Sequence, residues 1–189
     1  MDKPKIRVVI DTNVFIPCGD KSEDKIKSIE LFGEIFPRLA ETYGIAILLS
    51  TEILDEYKMI RAKVKDCHPL PRFHASFIRN LDEICRLKRL KKCRERSMGS
   101  FRFHVIESSK IDRYDVKEFV KSDPEDEKFL KVALAEASKG VVYILSVDDE
   151  SLLRLKNDEL YRRMCERFDE AKNVKVLLPH ELIETLKIL

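Results

Sequence analysis

IRVVIDTNVFI, which spans residues 6–16, is the stretch of sequence that decides the fold. Apolar, β-branched residues dominate its first half without a regular alternation of polar ones, which is typical of a strand buried on both faces of a parallel sheet. Asp11 follows this run directly. Open parallel sheets keep their ligand sites just outside the carboxyl ends of the strands, so Asp11 is the first candidate functional residue.

The rest of the chain alternates predicted strands with predicted helices. Further apolar runs lie at residues 45–49 and 141–147, with a shorter one at 174–178. Apolar residues at helical spacing fill residues 21–42 and several later stretches, up to a terminal helix at 179–189. This alternation predicts right-handed βαβ units, and therefore an α/β fold of three α/β/α layers around a central, mainly parallel sheet.

Composition limits the class of protein. The 189 residues suit a single domain, and a content of 44% hydrophobic and 37% charged residues excludes a disordered chain. No apolar run approaches the roughly 18 residues that span a membrane, and the first predicted strand begins too early for a signal peptide. We therefore expect a cytoplasmic protein with no membrane partner.

Cysteine, histidine and glycine spacing indicates no familiar cofactor site. The five cysteines are odd in number and form no Cys-x-x-Cys pair, which predicts reduced thiols rather than disulfides or a zinc site. The four histidines show no ligand spacing, so we expect them at the surface or in loops. The five glycines form no phosphate-binding loop, which argues against a nucleotide cofactor.

Four carboxylates are predicted to lie close together, namely Asp11, Glu56, Asp126 and Asp148. Asp11 and Asp148 follow predicted strands, whereas Glu56 and Asp126 share helix faces with apolar residues. Carboxylates gathered in a half-buried pocket repel one another unless a cation neutralises them. Hard divalent ions with oxygen ligands, Mg²⁺ or Mn²⁺, suit such a pocket.

Each of these carboxylates also has an ordinary structural interpretation. Asp11 could form an Asx-turn, and Asp148 could cap the helix after its strand. Asp126 could close a capping box with Asp123. Glu56 could form an ion pair with Lys58 or Lys63.

Four motifs resemble those of the PIN-domain nuclease family, in particular its toxin-like members. They are VVIDTNVFI, LSTEILDEY, DPEDEKFLKVA and YILSVDDESLL, which follow in the family's order from residue 8 to residue 153. Residues 174–182 resemble the closing strand and helix of the family. The resemblance implies one PIN-like, Rossmann-like domain over residues 1–189, with a helical, basic elaboration at about residues 71–97.

The resemblance also implies the site. Its catalytic residues and acidic metal ligands would be Asp11, Glu56, Asp126 and Asp148, with Asn13 and Ser146 in support. Asp149 stands where many relatives carry Lys or Arg, which leaves open whether Asp148 or Asp149 faces the metal, although the strand-end position favours Asp148. The number of ions, one or two, also stays open.

The implied activity is that of a metal-dependent endoribonuclease, which hydrolyses RNA phosphodiester bonds with Mg²⁺ or Mn²⁺. The resemblance allows the chain to be the toxin of a toxin-antitoxin pair, with an antitoxin or another protein as partner, and allows a homodimer. Two alternatives remain open. One is a catalytically silent PIN-fold scaffold that binds RNA, and the other is a structure-specific DNA nuclease.

A basic stretch supplies a candidate RNA-binding surface. Residues 86–96 read RLKRLKKCRER, whereas the whole chain carries a net charge of only +2. Lys and Arg on successive helical turns can follow phosphates, which predicts RNA contacts. The residues concerned are Arg86, Lys88, Arg89, Lys91, Lys92, Arg94 and Arg96. A solvated helix face is the alternative interpretation of the same stretch.

Overall fold

A computed structural model describes residues 6–67, 69–86 and 95–187, without the side chains of Glu95 and Met98. Its strands are β1 (Ile6–Ile10), β2 (Ile45–Leu49), β3 (Glu95–Met98), β4 (Phe101–Val105), β5 (Val142–Leu145) and β6 (Val174–Leu177). They form one sheet in the order β3-β4-β2-β1-β5-β6, and each neighbouring pair is parallel except β3 and β4. The predicted α/β fold with a mainly parallel sheet is confirmed.

Helices cover both faces of this sheet. They are α1 (Glu23–Tyr43), α2 (Thr51–Tyr57), α3 (Ile60–Lys63), α4 (Arg72–Arg79), α5 (Leu81–Arg86), α6 (Ser108–Ile111), α7 (Glu127–Ala137), α8 (Asp158–Arg167) and α9 (Pro179–Lys187). Helices α1 and α9 pack against each other on one face, and α7 packs on β1, β2 and β5 on the other. None of the helices in the described ranges is long and apolar enough to cross a membrane.

The central position of β1 brings the candidate site together. β1 pairs with β2 on one side and with β5 on the other, and Ile10 lies opposite Leu145. Because these strands are parallel, their carboxyl ends meet at one edge of the sheet. Asp11 and Ser146, the residues that follow β1 and β5, are therefore neighbours at that edge.

The region around the basic stretch differs from the prediction. The resemblance implies a helical elaboration up to about residue 97, but residues 95–98 form β3, the edge strand of a hairpin with β4. β4 lies inside the sheet, between β3 and β2. The turn at Gly99, whose φ is 58°, reverses the chain here, which local helix propensity could not reveal.

The cysteine prediction is wrong for one pair. Cys18 and Cys67 are joined by a disulfide with a Cα–Cα distance of 5.5 Å, which is within the usual range. The bond links the loop before α1 to the turn after α3, and a sequence separation of 49 residues hides such a pairing from spacing rules. Cys85 and Cys165 are free, and Cys93 lies outside the described residues.

The histidine prediction is wrong for His74. This residue of α4 is fully buried, and its Nε2 donates a hydrogen bond of 2.8 Å to the carbonyl of Val14. The packing is close because Gly33 of α1 has no side chain. A Cβ there would lie 2.4 Å from His74 Nδ1 and 2.4 Å from the Pro71 side chain, so only glycine permits α1 and α4 to approach this far.

Candidate metal centre

Three hydrogen bonds fix the backbone N–H and the carboxylate of Asp11 at the end of β1. Its backbone N–H donates to the carbonyl of Leu145 at 2.9 Å, which extends the pairing of β1 with β5 by one residue. Its Oδ1 accepts from the backbone N–H of Asn13 at 3.1 Å, as an Asx-turn requires, and its Oδ2 accepts from the Ser146 hydroxyl at 2.7 Å. The side chain is 1% exposed, so its orientation is set by the protein rather than by solvent.

Ser146 links the first and last acids of the predicted set. Its hydroxyl donates to Asp11, and its Oγ accepts from the backbone N–H of Asp148 at 3.0 Å. Asp148 Oδ1 in turn accepts from the N–H of Glu150 at 2.8 Å. One buried hydroxyl therefore links the carboxylate of Asp11 to the backbone of Asp148.

Three carboxylates form the tightest acidic group in the described part of the chain. Asp123, Asp126 and Asp148 each offer one oxygen, and these oxygens all lie within 4.8 Å of one another. Asp126 is buried, whereas the other two are half-buried. Oδ2 of Asp126 is buried and accepts no hydrogen bond of normal geometry from any described residue, and the buried Ser151 hydroxyl beside this carboxylate also lacks such a partner. A buried carboxylate oxygen without a donor is costly, and a cation would satisfy it.

Asp123 is the member of this group that sequence reasoning missed. We interpreted it only as a helix cap, and its Oδ1 does accept from the N–H of Glu125 at 2.9 Å. Residues Pro124–Asp126 form a turn of 3-10 helix, in which side chains three residues apart lie on the same side. The Asp-x-x-Asp spacing was the available signal. Asp126 does not close a capping box, because Asp123 bonds to Glu125 instead.

Burial and mutual repulsion perturb the two buried acids of the candidate site, Asp11 and Asp126. Loss of hydration raises the pKa of Asp11 to about 6, and the charges of Glu56 and Asp148 raise it as well. The hydrogen bonds that Asp11 accepts from Ser146 and Asn13 act in the opposite direction. Loss of hydration and the charge of Asp11 raise the pKa of Asp126 to about 7, although the Ser151 hydroxyl beside it has a lowering effect. These acids therefore share one electrostatic environment, which favours the binding of protons or of a cation.

Glu56 faces the same environment but has its own partner. Its Oε2 lies 2.5 Å from Nζ of Lys128, in the first turn of α7. Lys58, one of the partners that we considered, bonds to Asp55. Of the four predicted ligands, Asp126 and Asp148 belong to the group of three carboxylates, whereas Asp11 and Glu56 lie outside it. Glu56 is nevertheless close enough to Asp11 for its charge to raise the pKa of Asp11.

The side chains of Asp148 and Asp149 point to different surroundings. Asp148 belongs to the acidic group, whereas Asp149 forms an ion pair of 2.6 Å with Lys25 of α1 and is mostly exposed. The residue that faces the candidate metal site is therefore Asp148. Asn13 lies in the open cavity beside it, of about 400 Å³, in which the side chains of Lys21 and Lys25 also lie.

Tyr57 is a second residue that sequence reasoning did not assign to the site. It is fully buried, and its hydroxyl donates to the carbonyl of Ile10, the last residue of β1. Burial raises the pKa of Tyr57 well above its usual value, and the charges of Asp11 and Glu56 raise it further. The phenol therefore stays protonated and fixes the strand end from which Asp11 projects.

The predicted RNA-binding residues are only partly described. Arg86 is exposed at the end of α5, and Arg96 in β3 forms an ion pair of 2.6 Å with Glu83. The remaining members, Lys88, Arg89, Lys91, Lys92 and Arg94, lie outside the described residues. Among the described residues, a group of lysines lies near the acids. The charges of Lys25, Lys63 and Asp11 all act on the half-buried Lys21.

Known proteins give no further guidance about this site. No family model, curated protein or solved structure matches the chain.

Proposed function

We propose that this protein is a metal-dependent endoribonuclease of the PIN type, which hydrolyses phosphodiester bonds in cytoplasmic RNA. One observation carries the proposal. Asp126, a buried carboxylate with an unbonded oxygen, stands among other carboxylates at the carboxyl ends of parallel strands. Such strand ends are where open α/β folds bind ligands, and uncompensated acids of this kind are typical of cation sites.

The donor set fits a hard divalent ion. Asp123, Asp126 and Asp148 would hold Mg²⁺ or Mn²⁺, because carboxylate oxygens are the ligands that these ions prefer. When bound, such an ion supplies positive charge to a phosphate group and lowers the pKa of a water molecule. Asp11 lies beside the three ligands, and its charge contributes to the attraction of a cation.

The surrounding residues have separate tasks in this proposal. Ser146 holds the carboxylate of Asp11 and the backbone of Asp148 in one arrangement, so that the ligands need little reorganisation. Lys21 and Lys25 line the cavity next to Asp148, and in this proposal their ammonium groups contact phosphate oxygens of the bound strand. Contacts of this kind are independent of base sequence and weaken with salt.

The preference for RNA rests on the resemblance of the four motifs, and the test must therefore include DNA. Labelled RNA and DNA of matched sequence are incubated with wild-type protein in Mg²⁺, in Mn²⁺ or in a chelator. We expect RNA to be cleaved in either metal and to stay intact in the chelator. Cleavage of DNA alone would identify the structure-specific DNA nuclease, and binding of RNA without cleavage would identify the silent scaffold.

A pair of neighbouring residues provides a matched control. Asp148→Asn removes a member of the acidic group, whereas Asp149→Asn removes the adjacent, exposed carboxylate that pairs with Lys25. We expect Asp148→Asn to lower the cleavage rate by roughly 100-fold or more, because loss of one ligand weakens the metal site. Asp149→Asn should retain most of the activity. Equal effects of the two substitutions would contradict the assigned site.

A further inference from the structure

The ion pair between Lys128 and Glu56 is unusually sheltered for a pair beside an acidic site. Nζ of Lys128 lies 2.5 Å from Oε2 of Glu56, and the two side chains are only 14% and 22% exposed. Two charges with this little access to water are stabilised mainly by each other. Lys128 therefore balances the charge of Glu56 without any ion, although Oε2 of Glu56, like Oδ2 of Asp126, accepts no hydrogen bond of normal geometry from the described residues.

Glu56 and Asp148 belong to elements on different sides of β1. β1 pairs on one side with β2, which leads into α2 and Glu56, and on the other with β5, which leads to Asp148. Tyr57, the residue after Glu56, donates its hydroxyl to the carbonyl of Ile10, so α2 contacts the end of β1, and the charge of Glu56 raises the pKa of Asp11. Lys128 comes two residues after Asp126, at the start of α7, and brings its ammonium group to this same region. Asp11 therefore interacts electrostatically with both sets of charges. These are the carboxylates of Asp126 and Asp148 and, separately, the carboxylate of Glu56.

Two-metal phosphodiesterases place two cations about 3.5–4 Å apart, one on each side of the reacting phosphate. In this protein, three carboxylates surround one candidate cation position. Glu56, at the other position, is already paired with Lys128. From this geometry we infer that the Lys128 ammonium takes the place of a second divalent cation. The chain binds one divalent ion, through Asp123, Asp126 and Asp148, and Lys128 supplies the second positive charge of the site. This inference rests on the proposed function.

A purely structural ion pair predicts something different. If Lys128 and Glu56 only stabilised the packing of α2 against α7, replacement of Lys128 would change the stability of the protein and leave the number of bound ions unchanged. If Lys128 replaces an ion, its removal frees Glu56 as a ligand, and a second ion can bind between Glu56 and Asp11.

The test is a titration with Mn²⁺, followed by calorimetry and by electron paramagnetic resonance of the free ion. The proteins compared are the wild type, Lys128→Met, Lys128→Arg and the double variant Lys128→Met/Glu56→Gln, each checked for folding by circular dichroism. We expect one Mn²⁺ per chain in the wild type and in Lys128→Arg, which keeps the charge. Lys128→Met should bind two, and the double variant should return to one because the freed carboxylate is gone.

Each outcome has a defined meaning. Two ions in the wild type would overturn the inference without any variant, and one ion in a folded Lys128→Met would overturn it as well. In both cases the metal site of the proposed function would survive. Failure of the wild type to bind any Mn²⁺ would instead overturn the proposed function together with this inference.

Discussion

Two regions of this protein bury titratable side chains, and they stabilise them in different ways. At the strand ends, Asp11 and Asp126 are almost fully buried, repel each other, and leave one Asp126 oxygen without a hydrogen bond from the described residues. Between α1 and α4, His74 is equally buried, but loss of hydration lowers its pKa to about 4 and the ring stays neutral. Burial alone therefore does not indicate a functional site, whereas buried charge without compensation does.

The largest effect that we expect is a loss of activity without a loss of stability at the acidic site. Asp126→Asn removes a buried charge that the folded protein tolerates poorly without metal. We expect cleavage to fall by roughly 100-fold or more, while the free energy of unfolding in chelator stays equal to that of the wild type or rises by about 1 kcal/mol. Cleavage assays and urea unfolding in chelator measure the two effects. A large loss of stability in chelator would show that Asp126 has a structural role instead.

The corresponding change in the histidine region should affect stability alone. Gly33→Ala places a Cβ 2.4 Å from His74 and from Pro71, so α1 and α4 must move apart. We expect a loss of about 2 kcal/mol in the free energy of unfolding, because overpacking of a close contact is costly. Thermal or urea unfolding measures the loss, and Mn²⁺ binding by the folded fraction should be unchanged. A stability within about 0.5 kcal/mol of wild type would contradict the close packing.

We also expect the two regions to change the stability of the protein with pH in opposite directions. The pKa values of Asp11 and Asp126, about 6 and about 7, lie above the ordinary 3.8, so the folded state binds protons that the unfolded state releases. In chelator this contribution to stability is fully present below about pH 4 and is lost as the pH rises through 6 and 7, by roughly 5 kcal/mol or more in total. Mn²⁺ should remove most of the decline, because it binds the ionised acids.

His74 acts in the other direction over the same range. Its pKa is lowered from 6.5 to about 4, so the unfolded state takes up the proton first and stability falls as the pH drops from 6.5 towards 4. Unfolding at several pH values in chelator should therefore give a steeper gain on acidification for His74→Gln than for wild type. Asp126→Asn should show a smaller gain. Identical pH profiles of the three proteins would contradict both assignments.

The smallest expected effect concerns Ser146. Ser146→Ala removes the hydroxyl that donates to Asp11 and accepts from the N–H of Asp148, but it leaves every carboxylate in place. We expect a decrease of about 10-fold in cleavage and in Mn²⁺ affinity, as is typical when a residue that orients metal ligands is lost. Ser138→Ala, at the exposed end of α7, is the control. An unchanged Mn²⁺ affinity would show that Ser146 does not orient the ligands.

Local sequence patterns were sufficient for the parts of the fold and site that depend on local structure. Uninterrupted apolar runs identified β1, β2 and β5, and the position of Asp11 after its strand followed from the run itself. The helix-face argument for Asp126 was also adequate, since that side chain is buried as expected. In each case the deciding neighbours lie within a few residues along the chain.

Contacts between distant segments accounted for what the sequence did not reveal. The Lys128 partner of Glu56 and the Cys67 partner of Cys18 are brought close only by the packing of separate elements. The burial of His74 likewise depends on a glycine in another helix. Asp123 is different, because its spacing from Asp126 is visible in the sequence. Its role as a helix cap explained its presence, so its place in the acidic group was not predicted.

Anomalous scattering from a crystal grown with Mn²⁺ tests the central claim most directly, because it locates the ion without any assumption about activity. We predict one strong peak among the carboxylates of Asp123, Asp126 and Asp148, and none between Glu56 and Asp11, where Lys128 holds the positive charge. No peak among the three carboxylates at saturating Mn²⁺, or a peak at another site alone, would contradict the account.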